Sequence, residues 1–470
     1  MNARRRRRRT RKPLLPMIAA LAVVLVVLLV VAGSLPKDPG QPGDPTMQGT
    51  TPGTSVTDPK PTVTDPLPTP APTDPPIIKE STATLGVTGD ILMHGDVIKS
   101  GYDSTTKTYN YDNIFPFLTE YLERCDYAVA NMEGTLCGDD NGYKYGGYPN
   151  FNCPDAIADA LVKAGFDMML TANNHSYDTR NTGFHRTLQV LQNAGLDTLG
   201  TRSDAEDANY IIKDLNGIKV GMICYTYNTG VKEDGSISLN GIPLTVANSN
   251  LTNSFSYEDL DGFYEKLSGE LEEMEEAGAE ATVLFIHWGD EYRLKPNNTQ
   301  KNMAQELCDL GIDVIVGGHP HVIEPMALLT STKDETHKTA CIYSLGNTVS
   351  NQRLGLISSS KTAHTEDGLL VYVTFAKYSD GTVVVEGLEA LPLWVNMNTN
   401  NTASKVYEIV PLNPEAPDWM VPFDLTEDQL TKCFDSFERT MDLIGDGLEE
   451  INNWFSQAQA DLEEALGVAK

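Results

Sequence analysis

The sequence predicts an α/β domain whose strands deliver polar side chains to one edge. Three observations carry this. Apolar runs of strand length alternate with helical patterns, five of those runs end in acids, amides or histidines, and glycines stop several of the helices between them. The first run, 83–87, leads into Thr88-Gly89-Asp90. The second, 127–130, leads into Asn131-Met132-Glu133, and the third, 168–171, into Ala172-Asn173-Asn174-His175. The fourth, 282–286, ends in His287-Trp288-Gly289, and the fifth, 313–316, in Gly317-Gly318-His319-Pro320-His321. Open α/β sheets bind ligands at the carboxyl ends of their strands, so the five polar ends predict one convergent site.

The helices fall between these runs. Residues 115–124 carry apolar residues at helical spacing, 155–165 begin after Pro154 and stop at a glycine, and 184–195 end the same way. Residues 257–278 are long and acidic, and 300–311 run into the fifth strand. Further strands are predicted at 217–227, 343–345, 368–377 and 382–388, the last two as a hairpin around Ser379-Asp380-Gly381. Beyond them, 426–444 and 448–466 predict a helical hairpin turning near Gly445-Asp446-Gly447.

These patterns place a globular domain at 81–412 and a helical extension at 413–470. What precedes them is different. Residues 1–13 form a basic tail, with eight of the 35 cations in the first twelve positions and no acid. Residues 14–35 are uncharged and rich in Val, Leu and Ala. About 20 apolar residues span a bilayer core. The arginine cluster predicts a cytoplasmic N-terminus and an ectodomain outside a cell membrane, crossed once. A cleaved signal peptide is the rival reading, but its apolar region runs to about 7–15 residues, and Ala32-Gly33-Ser34 is a weak cleavage site. Residues 36–80, dense in Pro, Thr, Asp and Gly, predict a disordered spacer.

Beyond the tail, 27 cations face 65 acids. A surface that acidic is unsuited to nucleic acid. A polyanionic ligand would need metal ions or a few basic side chains. The seven cysteines contain no CxxC pair, which excludes a zinc ribbon or thioredoxin-type motif. Cys137 and Cys153 are open to a disulfide in an oxidising compartment, and spacing alone does not decide it.

The candidate metal ligands are Asp90, Glu133, Asn174, His287, His319 and His321. Carboxylate and amide oxygens with imidazole nitrogens suit Mn, Fe or Zn. Two cations about 3.5–4 Å apart need one bridging acid and terminal ligands on each side. Glu133 or Asp90 can bridge, and His175 remains as a general acid. Asp178, Asp290 and Glu291 are candidates to orient the histidines, and Tyr225, Tyr227 and Asn347 to line the cleft. Taken singly, most of these have ordinary readings, such as a turn at Gly89-Asp90 or a helix cap at Asn174-His175. Gly317-Gly318-His319-Pro320-His321 does not, because two histidines flanking a proline after two glycines serve no ordinary packing role.

The ordered set resembles the calcineurin-like metallophosphoesterase superfamily and, more closely, the CapA family of poly-γ-glutamate capsule proteins. The resemblance rests on Thr88-Gly89-Asp90-Ile91-Leu92, Ala130-Asn131-Met132-Glu133, Ala172-Asn173-Asn174-His175-Ser176-Tyr177-Asp178, His287-Trp288-Gly289-Asp290-Glu291-Tyr292, Gly317-Gly318-His319-Pro320-His321-Val322 and Tyr343-Ser344-Leu345-Gly346-Asn347. It implies a layered α/β/β/α sandwich holding two divalent metal ions. Asp90 would bind the first and Glu133 would bridge. Asn174, His287 and His319 would hold the second, His321 would return to the first, and His175 would protonate the leaving group. It also implies a part in synthesis, export or anchoring of an anionic capsule polymer of poly-γ-glutamate type. That polymer and capsule-synthesis membrane proteins would be the partners. A secreted phosphoesterase and a non-catalytic scaffold are the alternatives. Two positions depart from the superfamily pattern. Leu92 stands where the first block has a histidine, and Glu133 where the second has an aspartate. His94 lies nearby, four positions from Asp90 rather than two. The first metal site is thus one ligand short, which argues against ordinary phosphatase activity.

Overall fold

The computed structural model describes residues 77–356, 362–398, 406–414 and 425–466. The basic tail, the expected span at 14–35 and most of the expected spacer lie outside the described residues. Among the described residues, no helix is long and apolar enough to cross a membrane.

The strands of the two main sheets are, in chain order, β1 (Lys79–Ile91), β2 (Tyr127–Met132), β3 (Met168–Leu170), β4 (Asp197–Leu199), β5 (Tyr210–Leu215), β6 (Ile218–Tyr227), β7 (Ser254–Phe255), β8 (Ala281–His287), β9 (Val314–Gly318), β10 (Ile323–Thr330), β11 (Lys338–Leu345), β12 (Asn347–Val349), β13 (Asp367–Tyr378), β14 (Val383–Asn398) and β15 (Val406–Pro411). The first sheet has the order β15-β14-β13-β1-β2-β3-β4, with β12 beside the end of β1. In it β1 to β4 run parallel, and β13 to β15 add an antiparallel half. The second sheet has the order β7-β6-β8-β9-β11-β10, with β5 on β6. Its β6, β8, β9 and β11 are parallel.

Side chains on a strand alternate between faces, and here both faces are covered. Along β1, Ala83, Leu85 and Val87 join Val220, Met222, Val283, Phe285 and Val316 of the second sheet in one core between the sheets. On the other face of the first sheet, Ala128, Ala130 and Met169 pack on Ile157, Leu161 and Leu191. Those come from α1 (Ala156–Ala164) and α2 (Arg180–Ala194). On the outer face of the second sheet, Leu284, Ile286 and Ile315 pack on Phe263, Leu267, Met303 and Leu307. These belong to α3 (Leu260–Glu276) and α4 (Asn298–Asp309). The result is a mixed α/β sandwich, and double-sided burial is why the parallel strands read as continuous apolar runs.

Two local expectations change, and the question left open at Cys137 and Cys153 is answered. The C-terminal hairpin is instead one continuous helix of 40 residues, α5 (Glu427–Leu466). Its glycines make no turn. Gly447 lets the helix lie directly on β10, since a Cβ there would sit 2.1 Å from the Met326 carbonyl oxygen. Ile444 and Ile451 on the same helix are fully buried in the core between the sheets. The helix expected at 115–124 is reduced to a single turn, Thr119–Leu122, after a 3-10 turn at Asp112–Ile114. Pro116 offers no N–H to a helical ladder there. Finally, Cys137 and Cys153 do not bridge, and all seven cysteines are free thiols. The β13–β14 hairpin forms around Ser379-Asp380-Gly381 as expected, but β14 continues to Asn398.

Candidate metal centre

Strand register brings the polar ends together. Asp90 at the end of β1 pairs with Asn131 on β2 and with Asn347 on β12. In the second sheet, His287 at the end of β8 pairs with Gly318 on β9 and Thr226 on β6. The two edges meet closely enough that a Cβ on Gly318 would lie 3.2 Å from Asp90 Oδ1. A side chain at that position would press on Asp90, which would have to give by a few tenths of an ångström. His319 and His321 have φ of +97° and +56°. Such backbone costs on the order of 1–3 kcal/mol per residue and persists where the surroundings fix it. Here it aims two imidazoles back at the first sheet's acids.

Two clusters result. Asp90, Glu133 and His321 offer ligand atoms all within 4.8 Å of one another, and so do Glu133, His287 and His319. Glu133 belongs to both. His321 Nδ1 lies 3.2 Å from Asp90 Oδ2, and His321 Nε2 and His287 Nε2 each lie 3.6 Å from Glu133 Oε1. Asn174 joins the second cluster, its Oδ1 being 2.9 Å from His287 Nε2. All of these residues are buried. Among the described residues, neither Glu133 oxygen has a hydrogen-bond partner, nor does His319 Nδ1. His175 stands beside the clusters, its Nδ1 2.8 Å from Asp178 Oδ2. Asp178 Oδ2 also accepts from the Phe151 N–H at 2.7 Å.

Electrostatics follow the geometry. Burial alone would raise the Glu133 carboxyl, yet His321 and His287 outweigh it and hold the group well below the usual carboxylate range. Burial would lower His321, but Glu133 and Asp90 lift it to about 9. Burial and the neighbouring His287 and His321 push His319 well below its ordinary value. His175 is raised because Asp178 overrides the effect of burial. The donor set is one of concentrated charge and bare lone pairs, which fits divalent cations bound by oxygen and nitrogen.

The family model of the bacterial capsule synthesis protein PGA_cap matches residues 84–352. The chain belongs to this family. The matched span contains every candidate ligand from Asp90 to His321. The capsule biosynthesis protein CapA of Bacillus anthracis is 28% identical over 279 residues, covering 57% of this chain and 60% of that protein. The PGA biosynthesis protein CapA of Bacillus subtilis is 27% identical over 263 residues, covering 55% of this chain and 62% of that protein. The chain therefore matches less than two thirds of the length of these curated relatives. Among solved structures, the calcineurin-like phosphoesterase YfkN of Bacillus subtilis aligns with a TM-score of 0.37 and 14% identity, covering 77% of this chain and 99% of that one. The sulfate thiohydrolase SoxB of Thermus thermophilus, in complex with glycerol, gives 0.36 and 14%, covering 66% and 56%.

Some expected residues stand elsewhere. Asp290 is exposed and accepts from Asn297 at the cap of α4. Glu291 is exposed at the mouth of the cleft. Neither is hydrogen-bonded to a site histidine, although Glu291 lines the cleft with His175 and His321 and contributes to the raising of His321. Tyr225 points away from the cleft and donates to Glu270 at 2.5 Å. Tyr227 and Asn347 do reach the site, at 3.4 Å from His319 Nε2 and 3.1 Å from His321 Nδ1. His94 lines the cleft but belongs to neither ligand cluster. Its Nδ1 lies 3.3 Å from the Leu92 carbonyl, and burial lowers it to about 4.

Three amides were not singled out from the sequence. Asn131 Nδ2 donates to Asp90 Oδ1 at 2.8 Å, and Asn173 Nδ2 donates to Asn131 Oδ1 at 3.0 Å. Asn240 accepts from Asn174 at 3.2 Å. Asn131 and Asn173 sit inside the motifs quoted above, one residue or two from a ligand, and that adjacency was the available signal. Asn240 comes from a distant loop and had none.

Proposed function

We propose that the chain holds two divalent cations at this centre and uses them to engage an anionic group of an envelope polymer during capsule biosynthesis. We place it outside a cell membrane, anchored by residues 14–35, a placement supported only by the composition of residues 1–35. The observation that carries the metal reading is Glu133. A buried carboxylate whose two oxygens accept no hydrogen bond among the described residues, and which both donor clusters share, leaves its lone pairs open to cations. Asp90, Glu133 and His321 would hold one cation, and Glu133, Asn174, His287 and His319 the other. A bound pair supplies Lewis acidity and an activated water near neutral pH. His175 supplies the proton. Asp178 holds its Nδ1–H and favours the charged imidazolium, so Nε2 can donate to a departing oxygen. Phe151 packs its ring edge-on against that imidazole at 4.7 Å between centroids. Among the described residues lining the cleft there is no lysine or arginine, so cations would be the local attraction for an anionic group. Membership of the capsule family supports the biological setting.

The experiment is a Mn²⁺ titration of the full-length chain with metal analysis. Wild type should bind two ions, His287→Ala about one, and Glu133→Gln fewer than either, because Glu133 serves both clusters. Hydrolysis of p-nitrophenyl phosphate esters by the loaded protein, reduced roughly 100-fold or more in His175→Ala, would support catalysis. Bound metal without turnover would support polymer handling without hydrolysis. A chain with no affinity for Mn, Fe or Zn would end the metal reading.

A further inference from the structure

We propose that the cleft beside the metal centre is a subsite for a sugar ring, so placed that an anionic group esterified to the sugar reaches the metal ligands. This rests on the metal-centre reading above. The cleft has a volume of about 440 Å³, with His175 and His321 in its lining. That size is within the roughly 300–1,000 Å³ of small-molecule sites.

The lining is built rather than incidental. The Tyr292 ring lies 6.2 Å from that of His321, and its hydroxyl accepts from Gln352 Nε2 at 3.1 Å. Gln352 in turn accepts from Asn347 Nδ2 at 3.0 Å, and Asn347 Oδ1 meets His321 Nδ1 at 3.1 Å. A hydrogen-bonded chain thus fixes Tyr292 to a metal ligand. Phe151 stands edge-on between His94 at 5.1 Å and His175 at 4.7 Å. Tyr148, at 80% exposure, is a large aromatic left open to solvent at the same cleft.

A pyranose presents a flat C–H face and a rim of hydroxyls. Aromatic rings such as Tyr148 and Tyr292 suit the face. The imidazole of His94, the amide of Gln352 and the carboxylate of Glu291 offer donors and acceptors to the rim. Charge argues against a polyanion lying in this part of the cleft. No described lining residue is a lysine or arginine, and Glu291 would repel each further carboxylate or phosphate beyond the one held by metal.

The test is calorimetric binding to the Mn²⁺-loaded full-length chain. Glucose 1-phosphate, galactose 1-phosphate and N-acetylglucosamine 1-phosphate are compared with ethyl phosphate, which reports the metal-held phosphate alone. At least one sugar ester should bind about fivefold or more tightly than ethyl phosphate, the scale of a single aromatic contact. Tyr148→Ala and Glu291→Gln, both at exposed positions, should each reduce that preference while two Mn²⁺ ions remain bound. Equal binding of all four esters overturns the subsite and leaves the metal centre standing. So does a preference that both variants retain, or tri-γ-glutamate binding more tightly than every sugar ester. A chain that binds neither Mn²⁺ nor ethyl phosphate overturns both readings.

Discussion

Two buried glutamates show how differently one residue type behaves in this protein. Glu133 stays charged because imidazoles surround it. Glu324, with no exposed surface, has only the Gln300 amide at 2.8 Å, and its other oxygen is unpartnered. Burial, aided by Asp290, pushes it up to about 8 against the weaker pull of Gln300 and Lys301. A folded-state carboxyl raised above its unfolded value is protonated in the fold and ionised in the open chain. The stability it favours is present at low pH and declines as pH rises from the unfolded value towards about 8. Glu324→Gln should remove that decline. Melting temperatures should match wild type near about pH 5 and exceed it by about 2–4 °C near about pH 8. Parallel curves at every pH would show that Glu324 is not the titrating group. Residue identity was legible where chemistry is rare, as in two histidines around Pro320. It was not legible for Asn131 and Asn173, because amides are common and their bonds to Asp90 and to each other exist only once β1, β2 and the loop after β3 are side by side.

At the scale of elements, α5 is the instructive case. Gly445 and Gly447 look like a turn in the sequence, because glycine two residues from glycine usually breaks a helix. Their surroundings in the fold differ. Nothing lies within 4 Å of a Cβ added to Gly445, whereas one added to Gly447 would collide with the Met326 backbone. Gly445→Ala should therefore stabilise the protein by about 0.5–1 kcal/mol, the helix-propensity gain. Gly447→Ala should destabilise it by about 1–3 kcal/mol, as backbone must shift. Denaturant unfolding of the two variants checks both signs, and a loss of stability in Gly445→Ala would favour a turn over the continuous helix. The same helix is tied to the first sheet through Arg439, which donates two bonds to the buried Asp367, with Ser436 donating a third. Arg439→Ala would strand that carboxylate and should cost about 3 kcal/mol or more, read in the same assay. Strands and their polar ends were legible because double-sided burial leaves long apolar runs. The docking of α5 was not, because the partner of Gly447 is a carbonyl more than a hundred positions away.

The molecule as a whole is two sheets meeting at one seam, and the ligands are divided across it. Asp90, Glu133 and Asn174 come from the first sheet, and His287, His319 and His321 from the second. Without added cations, the seam sets two carboxylates against imidazoles whose preferences conflict, His321 raised and His319 lowered. Cations bound there would join the sheets and relieve the unpartnered Glu133 oxygens. Mass action then sets the size of the effect: at a hundredfold excess over Kd, each site adds about 2.7 kcal/mol to the folded state. Chelation of the loaded protein should lower its melting temperature by several degrees. Hydrogen exchange should rise at 131–134, 172–176, 287–289 and 317–321, at the edges of both sheets together, while the core strand segments 83–87 and 220–224 keep their protection. The gain with Mn²⁺ should vanish in Glu133→Gln and be about halved in His287→Ala. Exchange that rises on one sheet alone would mean the ligands act as separate local sites, and the seam would then need another explanation for its strained histidines.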